Sequence, residues 1–218
     1  MNTLLSYTIT ELFHEITSHL VTDEMPSEYM TWMSIQEEYQ SYPFTLLWDL
    51  KQTEQSKKYH PEGSVWNHTL LVLDEAAKVR EKSKYPESFM WAALLHDIGK
   101  PTTTRVRRGK VTSYDHDKEG EVLSNEFLQF FIEDDDFIQK VAGLVRYHMH
   151  ILYVLKGLPY GDIQGLIARV DIEDMALLCR CDRLGRTGVN KSEVEEEYHR
   201  FIQTLRAKKL EVSKNIGI

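Results

Sequence analysis

The run Phe89-Met90-Trp91-Ala92-Ala93-Leu94-Leu95 is apolar on every face of a helix, and such a helix is stable only when neighbours surround it. It extends to about Ile98 and is stopped by Gly99 and Pro101. A chain carrying this segment must fold around it, and the rest of the pattern supplies helices to do so. Apolar positions recur at helical spacing over residues 3 to 20 (Leu4, Leu5, Ile9, Leu12, Phe13, Ile16, Leu20) and from Val65 to about Arg80. They recur again over 117 to 132, from Asp136 (an N-cap with Gln139 three residues on) to about Tyr147, over 160 to 170 and over 172 to 184. A last helix starts at Ser192, where Ser192-Glu193-Val194-Glu195 has a capping-box pattern, and frays after Lys209. The one clear strand signal is Thr102–Val106 and Val111–Tyr114 around Arg107-Arg108-Gly109-Lys110, a short β-hairpin. The expected fold class is all-α: a helical bundle with a short β-hairpin and an extra N-terminal helical segment. Polar residues 51 to 63 separate that segment, residues 1–50 packed on the core, from the main body at 51–218.

Composition narrows the class. A chain of 218 residues with 42% hydrophobic residues builds one sizeable core. Its net charge of −8 argues against stable, general nucleic-acid binding. No run approaches the roughly 18 apolar residues of a membrane span. The first residues lack the marks of a signal peptide, and two cysteines, Cys179 and Cys181, cannot form a disulfide framework. A cytoplasmic location is expected.

Nine histidines are the less ordinary feature. His14, His19, His60 and His199 read as surface or packing residues. The others have acidic company at helix ends or inside apolar runs: His68, His96-Asp97, His116 between Asp115 and Asp117, His148 and His150, and Asp182 after Leu177-Leu178-Cys179-Arg180-Cys181. Burying an unpaired carboxylate costs several kcal/mol. Each of these residues is either a core polar group with its own partner, or one of a set that shares a divalent cation. Imidazole with carboxylate suits Mn, Fe, Ni, Co or Zn, whereas a magnesium site is more often all oxygen.

His68, then His96-Asp97, then Asp182 resembles the signature of the HD superfamily of metal-dependent phosphohydrolases. The flanks agree: His60-Pro61-Glu62-Gly63-Ser64-Val65-Trp66-Asn67-His68-Thr69 and Ala92-Ala93-Leu94-Leu95-His96-Asp97-Ile98-Gly99-Lys100-Pro101 are similar to the HD domains attached to bacterial tRNA nucleotidyltransferases. The hairpin followed by His116 and Gly120, Leu144–Met149 and Cys181–Arg186 follow in order, so the resemblance spans about residues 44 to 190. It implies an HD-domain helical bundle around a metal site. His68, His96, Asp97 and Asp182 would hold one divalent metal ion, and His116 and His148 would complete a second site bridged by Asp97. His150 stays open as an alternative to His148. The metal is open among Mn, Fe, Ni, Co and Mg.

The resemblance also implies a metal-dependent phosphohydrolase (phosphatase or phosphodiesterase) whose partner is a small phosphorylated substrate, a nucleotide. Asp97 would be catalytic. Lys100, one turn on, either meets a phosphate or faces its helix dipole. Arg183 either grips phosphate or pairs with a surface acid. Asp115 and Asp117 either orient His116 or are solvated. Arg105, Arg107, Arg108 and Lys110 form either a solvated hairpin tip or a guide for a polyanion. The alternatives are a 2′,3′-cyclic nucleotide or RNA-end phosphodiesterase, and a non-catalytic nucleotide-binding metal module. Residues 1–45 carry no Gly-Ser…Asp-x-Asp arrangement, so nucleotidyl transfer is not expected, and no Gly-Tyr-Pro follows His96-Asp97. The aromatic N-terminal segment could cap the site, form a homodimer contact, or add a layer of core.

Overall fold

A computed structural model describes residues 7–216, with side chains described to residue 214. The apolar positions Leu4 and Leu5 lie outside the described residues. The chain is helical apart from one hairpin, as expected. Helix α1 (Ile9–Thr22) is closed at its start by a capping box between Thr8 and Glu11 and buries Leu12, Phe13, Ile16 and Leu20. The aromatic segment forms α2 (Pro26–Met33) and α3 (Thr45–Trp48), with a cis Tyr42–Pro43 bond between them. The core proper consists of α4 (Val65–Ala77), α5 (Pro86–Leu95), α7 (His116–Gln129), α8 (Asp135–Tyr147) and α11 (Ile172–Leu184). The short α6 (Lys100–Thr103) follows α5, α9 (His150–Leu155) and α10 (Ile163–Arg169) link α8 to α11, and α12 (Lys191–Ile216) packs on α11.

Helix α5 is the centre. Every residue from Ser88 to Leu95 is buried, and α1, α4, α8 and α11 all touch it. Phe13 stacks on Trp91 at 4.7 Å between ring centroids, so α1 shares this core. The hairpin, β1 (Thr104–Arg107) and β2 (Lys110–Ser113), pairs antiparallel with Thr104 opposite Ser113 and Arg107 opposite Lys110. Its two turn residues, Arg108 and Gly109, both have positive φ, 51° and 73°, the conformation that a tight hairpin needs. Among the described residues no helix is long and apolar enough to cross a membrane.

Several boundaries differ from the sequence reading. Helix α5 runs Pro86–Leu95 rather than Phe89 to Ile98, and Gly99 and Pro101 open α6 instead of stopping α5. Helix α8 starts two residues early, because Asp134 rather than Asp136 is the N-cap and accepts the Phe137 amide. No capping box forms at Ser192: Asn190 Oδ1 accepts the Ser192 amide and Glu195 pairs with Arg180 instead. Helix α12 continues past Lys209 to Ile216.

Candidate metal centre

The polar residues that interrupt the apolar runs meet in one place. His68 sits in the first turn of α4, His96 and Asp97 directly follow α5, His116 opens α7, His148 follows α8 and Asp182 lies in the last turn of α11. All six are buried, none more than 6% exposed. Two tight groups result, His68 with His96 and Asp182, and Asp97 with His116 and His148. Asp97 faces both. Its Oδ2 is 3.2 Å from His96 Nε2, and its Oδ1 is 3.5 Å from His116 Nε2 and 3.8 Å from His148 Nε2. His68 Nε2 lies 2.9 Å from Asp182 Oδ1.

Local backbone fixes which ring nitrogen faces inward. His96, His116 and His148 each direct Nδ1 to the carbonyl three residues earlier: Ala93 at 2.8 Å, Ser113 at 2.7 Å and Val145 at 2.6 Å. A carbonyl can only accept, so Nδ1 carries the proton and Nε2 of each neutral ring presents a lone pair to the site. For His96 and His148 these bonds also occupy free carbonyls at helix C-termini.

The result is a donor set with too few protons. His116 Nε2 and His148 Nε2 lie 3.1 Å apart, lone pair against lone pair. Buried His96 Nε2 and Asp97 Oδ2 have no aligned hydrogen bond. An orphaned set of imidazole nitrogens and carboxylate oxygens fits a divalent cation. The charges agree. Burial would raise both carboxyls, but Lys100 and His96 hold Asp97 well below the usual carboxylate range, and Arg186 and His68 do the same for Asp182. Burial and the neighbouring His116 push His148 down to about 3, and burial also lowers His116. Neutral imidazole is the form that binds metal; His96 is the exception in the metal-free chain, raised against its burial by Asp97 and Asp182, and a metal there would displace its proton.

The remaining sequence candidates divide. Lys100 is buried, 2.7 Å from Asp97 Oδ2 and donating to Gln55 Oε1 at 2.6 Å. Arg183 points away from the cluster and pairs with Glu197 on α12. Arg186 takes the place beside Asp182: its Nη2 donates to both carboxylate oxygens at 3.1 and 3.0 Å, and its Nε is buried without a partner. Asp117 pairs with Arg146 at 2.6 Å and Asp115 with Lys118 at 2.7 Å, and the His116 ring hydrogen-bonds neither of them. His150 is buried outside both groups, its Nε2 accepting from the Asp162 amide at 3.1 Å. Cys179 and Cys181 are buried thiols; burial raises both, Cys181 to about 12, which leaves no thiolate to bind metal. His60 is no plain surface residue. It shares the Glu62 carboxylate with His68, and its ring centroid is 4.8 Å from that of His68. Glu62 and Arg186 were missed by the sequence reading, although Arg186 stands four residues after Asp182 and so shares its helical face.

The comparisons agree with this arrangement. A family model described as HD domain matches residues 65–186, the stretch that carries all six buried residues, and the chain belongs to the HD domain family. It is similar to the Multifunctional CCA protein of Pasteurella multocida (strain Pm70), 31% identical over 165 residues, 72% of this chain and 38% of that protein. The Multifunctional CCA protein of Actinobacillus pleuropneumoniae serotype 5b (strain L20) is 27% identical over 157 residues, 69% of this chain and 37% of its own length. That of Pseudomonas fluorescens (strain SBW25) is 32% identical over 145 residues, 63% and 34%. The chain thus matches little more than a third of the length of these relatives.

Proposed function

We propose that this protein is a metal-dependent phosphohydrolase that cleaves phosphomonoesters or phosphodiesters of nucleotides. The observation that carries the reading is the convergence of three buried imidazoles, each with Nδ1 held by a backbone carbonyl and Nε2 facing inward, on two buried carboxylates. His68, His96 and Asp182 would hold one divalent ion, His116 and His148 a second, with Asp97 between them. When bound, such ions acidify water and polarise a phosphoryl oxygen. Mn, Fe, Ni, Co and Mg are the candidate metals.

The chain's own residues supply the rest. Lys100 Nζ brings a buried positive charge to the Asp97 side of the site, where phosphoryl oxygens need it. Arg186 holds Asp182 with one nitrogen and keeps Nε free, a planar fork suited to phosphate. This role moves to Arg186 from Arg183, whose guanidinium is spent on Glu197. Of the expected 1–50 segment, the described residues 7–50 would act as a helical layer packed on the hydrolase core that begins at residue 51.

A second reading, a 2′,3′-cyclic nucleotide or RNA-end phosphodiesterase, is favoured by the hairpin. Arg105, Arg107, Arg108 and Lys110 are exposed there, and none forms an ion pair among the described residues. The test is a panel of 2′-, 3′- and 5′-nucleoside monophosphates and 2′,3′-cyclic nucleotides, assayed with each candidate metal restored. Turnover that Asp97→Ala abolishes supports a hydrolase, and the preferred ester separates the two readings. Binding without turnover would instead indicate a non-catalytic nucleotide-binding module.

A further inference from the structure

His68 differs from the other three histidines of the site. They lie at helix boundaries and use the carbonyl three residues back. His68 lies inside the first turn of α4, where the Val65 carbonyl already accepts from Thr69 Oγ1 at 3.0 Å and the Ser64 carbonyl accepts the His68 amide at 3.2 Å. Its Nδ1 must find a partner elsewhere. The nearest acceptor is Glu62 Oε1, 3.0 Å away at ion-pair distance but not aligned as a hydrogen bond, in a side chain only 3% exposed.

The chain before α4 is built to hold that carboxylate. His60-Pro61-Glu62-Gly63 is a turn closed by the Gly63 amide on the His60 carbonyl at 3.2 Å. Gly63 has φ +102°, a conformation that favours glycine. Asn67 Nδ2 donates to the Glu62 carbonyl at 3.0 Å, and Ser64 caps α4 by accepting the Asn67 amide at 3.3 Å. The carboxylate itself is shared by His60 Nδ1 at 2.8 Å and accepts the Thr187 amide at 3.4 Å.

We infer that Glu62 is the positioning residue for His68: its carboxylate, beside Nδ1, would take the ring proton there when a metal displaces it from Nε2, which in the metal-free chain meets Asp182 Oδ1 at 2.9 Å. The inference rests on the metal reading above. A carboxylate behind a metal-binding imidazole raises its basicity and fixes its orientation, and losing such a partner weakens metal binding by about 10- to 100-fold.

The test compares Glu62→Gln and Glu62→Ala with the wild type as full chains, stripped and reloaded with Mn(II) or Co(II). Affinity is read by chelator competition, and the Tm of the metal-free protein is measured beside it. The expected result is metal binding about 10-fold weaker in Glu62→Gln, which keeps an acceptor but loses its charge, and up to about 100-fold weaker in Glu62→Ala. The metal-free Tm of the Gln variant should stay close to wild type. If Glu62→Ala does not fold, Glu62→Gln decides alone. Folded variants that bind metal as tightly as wild type, with only Tm lowered, would reduce Glu62 to a brace for the turn and overturn the inference. A wild-type chain that binds neither ion would remove the metal reading and this inference together, so the two failures are distinguishable.

Discussion

Gly99→Ala should damage the site without touching a candidate ligand. A Cβ at residue 99 would stand 2.2 Å from the His116 carbonyl oxygen and 2.6 Å from the Gly120 amide, both backbone atoms. An ordinary contact needs about 3.4 Å, so the start of α7 would have to retreat by about 1 Å in an interior packed like a crystal. Overpacking costs about 1–3 kcal/mol, and a clash with backbone belongs at the upper end. For a chain of this size about 3 kcal/mol lowers Tm by roughly 6–12 °C. The retreat carries His116 away from Asp97 Oδ1, now 3.5 Å distant, so metal bound through His116 should weaken as well. Calorimetry on metal-free protein and a metal titration measure the two effects. Gly109→Ala is the control: φ there is +73° but nothing lies within 4 Å, so it should cost about 1 kcal/mol of backbone strain and leave metal affinity unchanged. A Gly99→Ala protein with wild-type Tm and affinity would refute the packing argument.

Other outcomes follow from the same geometry. Reversing charge at Arg107 and Arg108 should raise the KM for nucleotide substrates at low salt and have a smaller effect at high salt; an unchanged KM at low salt would leave the hairpin a solvated tip. The metal-free protein should lose stability as pH falls below about 6.5. Burial holds His148 near 3 and His60 and His150 near 4, so over that window the unfolded chain binds protons that the fold refuses, at up to about 1.4 kcal/mol per pH unit for each group. His96 is raised by Asp97 and Asp182 against its burial, so its opposite contribution lies above pH 6.5. Urea midpoints at pH 7 and pH 5 check this, and equal midpoints would contradict it. His148→Ala should lower metal content, whereas His150→Ala should retain it and lower Tm, because His150 is buried outside both groups; metal analysis of the two variants separates them.

His68, His96, Asp97 and Asp182 were legible because each interrupts an apolar run, where a desolvation cost must be offset somewhere; His116 and His148 stood out only by acidic company and helix-end position, and the family resemblance joined them to the set. Helical periodicity likewise located the bundle, and β-prone runs around a glycine-containing turn located the hairpin. Legibility ended where a side chain's partner lies on another element. Glu62 sits in a loop, and only the approach of that turn to α4 brings its carboxylate to His68. Arg183 and Arg186 are three residues apart, and the position of α12, which offers Glu197, decides which of them faces inward. The Ser192 capping box failed for a related reason: Glu195 found a stronger partner in Arg180 across the α11–α12 contact.

The central claim is that the buried His–Asp cluster is a metal site with Asp97 at its junction. The most direct measurement is elemental analysis of protein purified without chelator, for wild type and Asp97→Ala. The account predicts two divalent ions per chain in the wild type and their loss in the variant. A wild-type chain that carries no metal, even after exposure to each candidate ion, would contradict it.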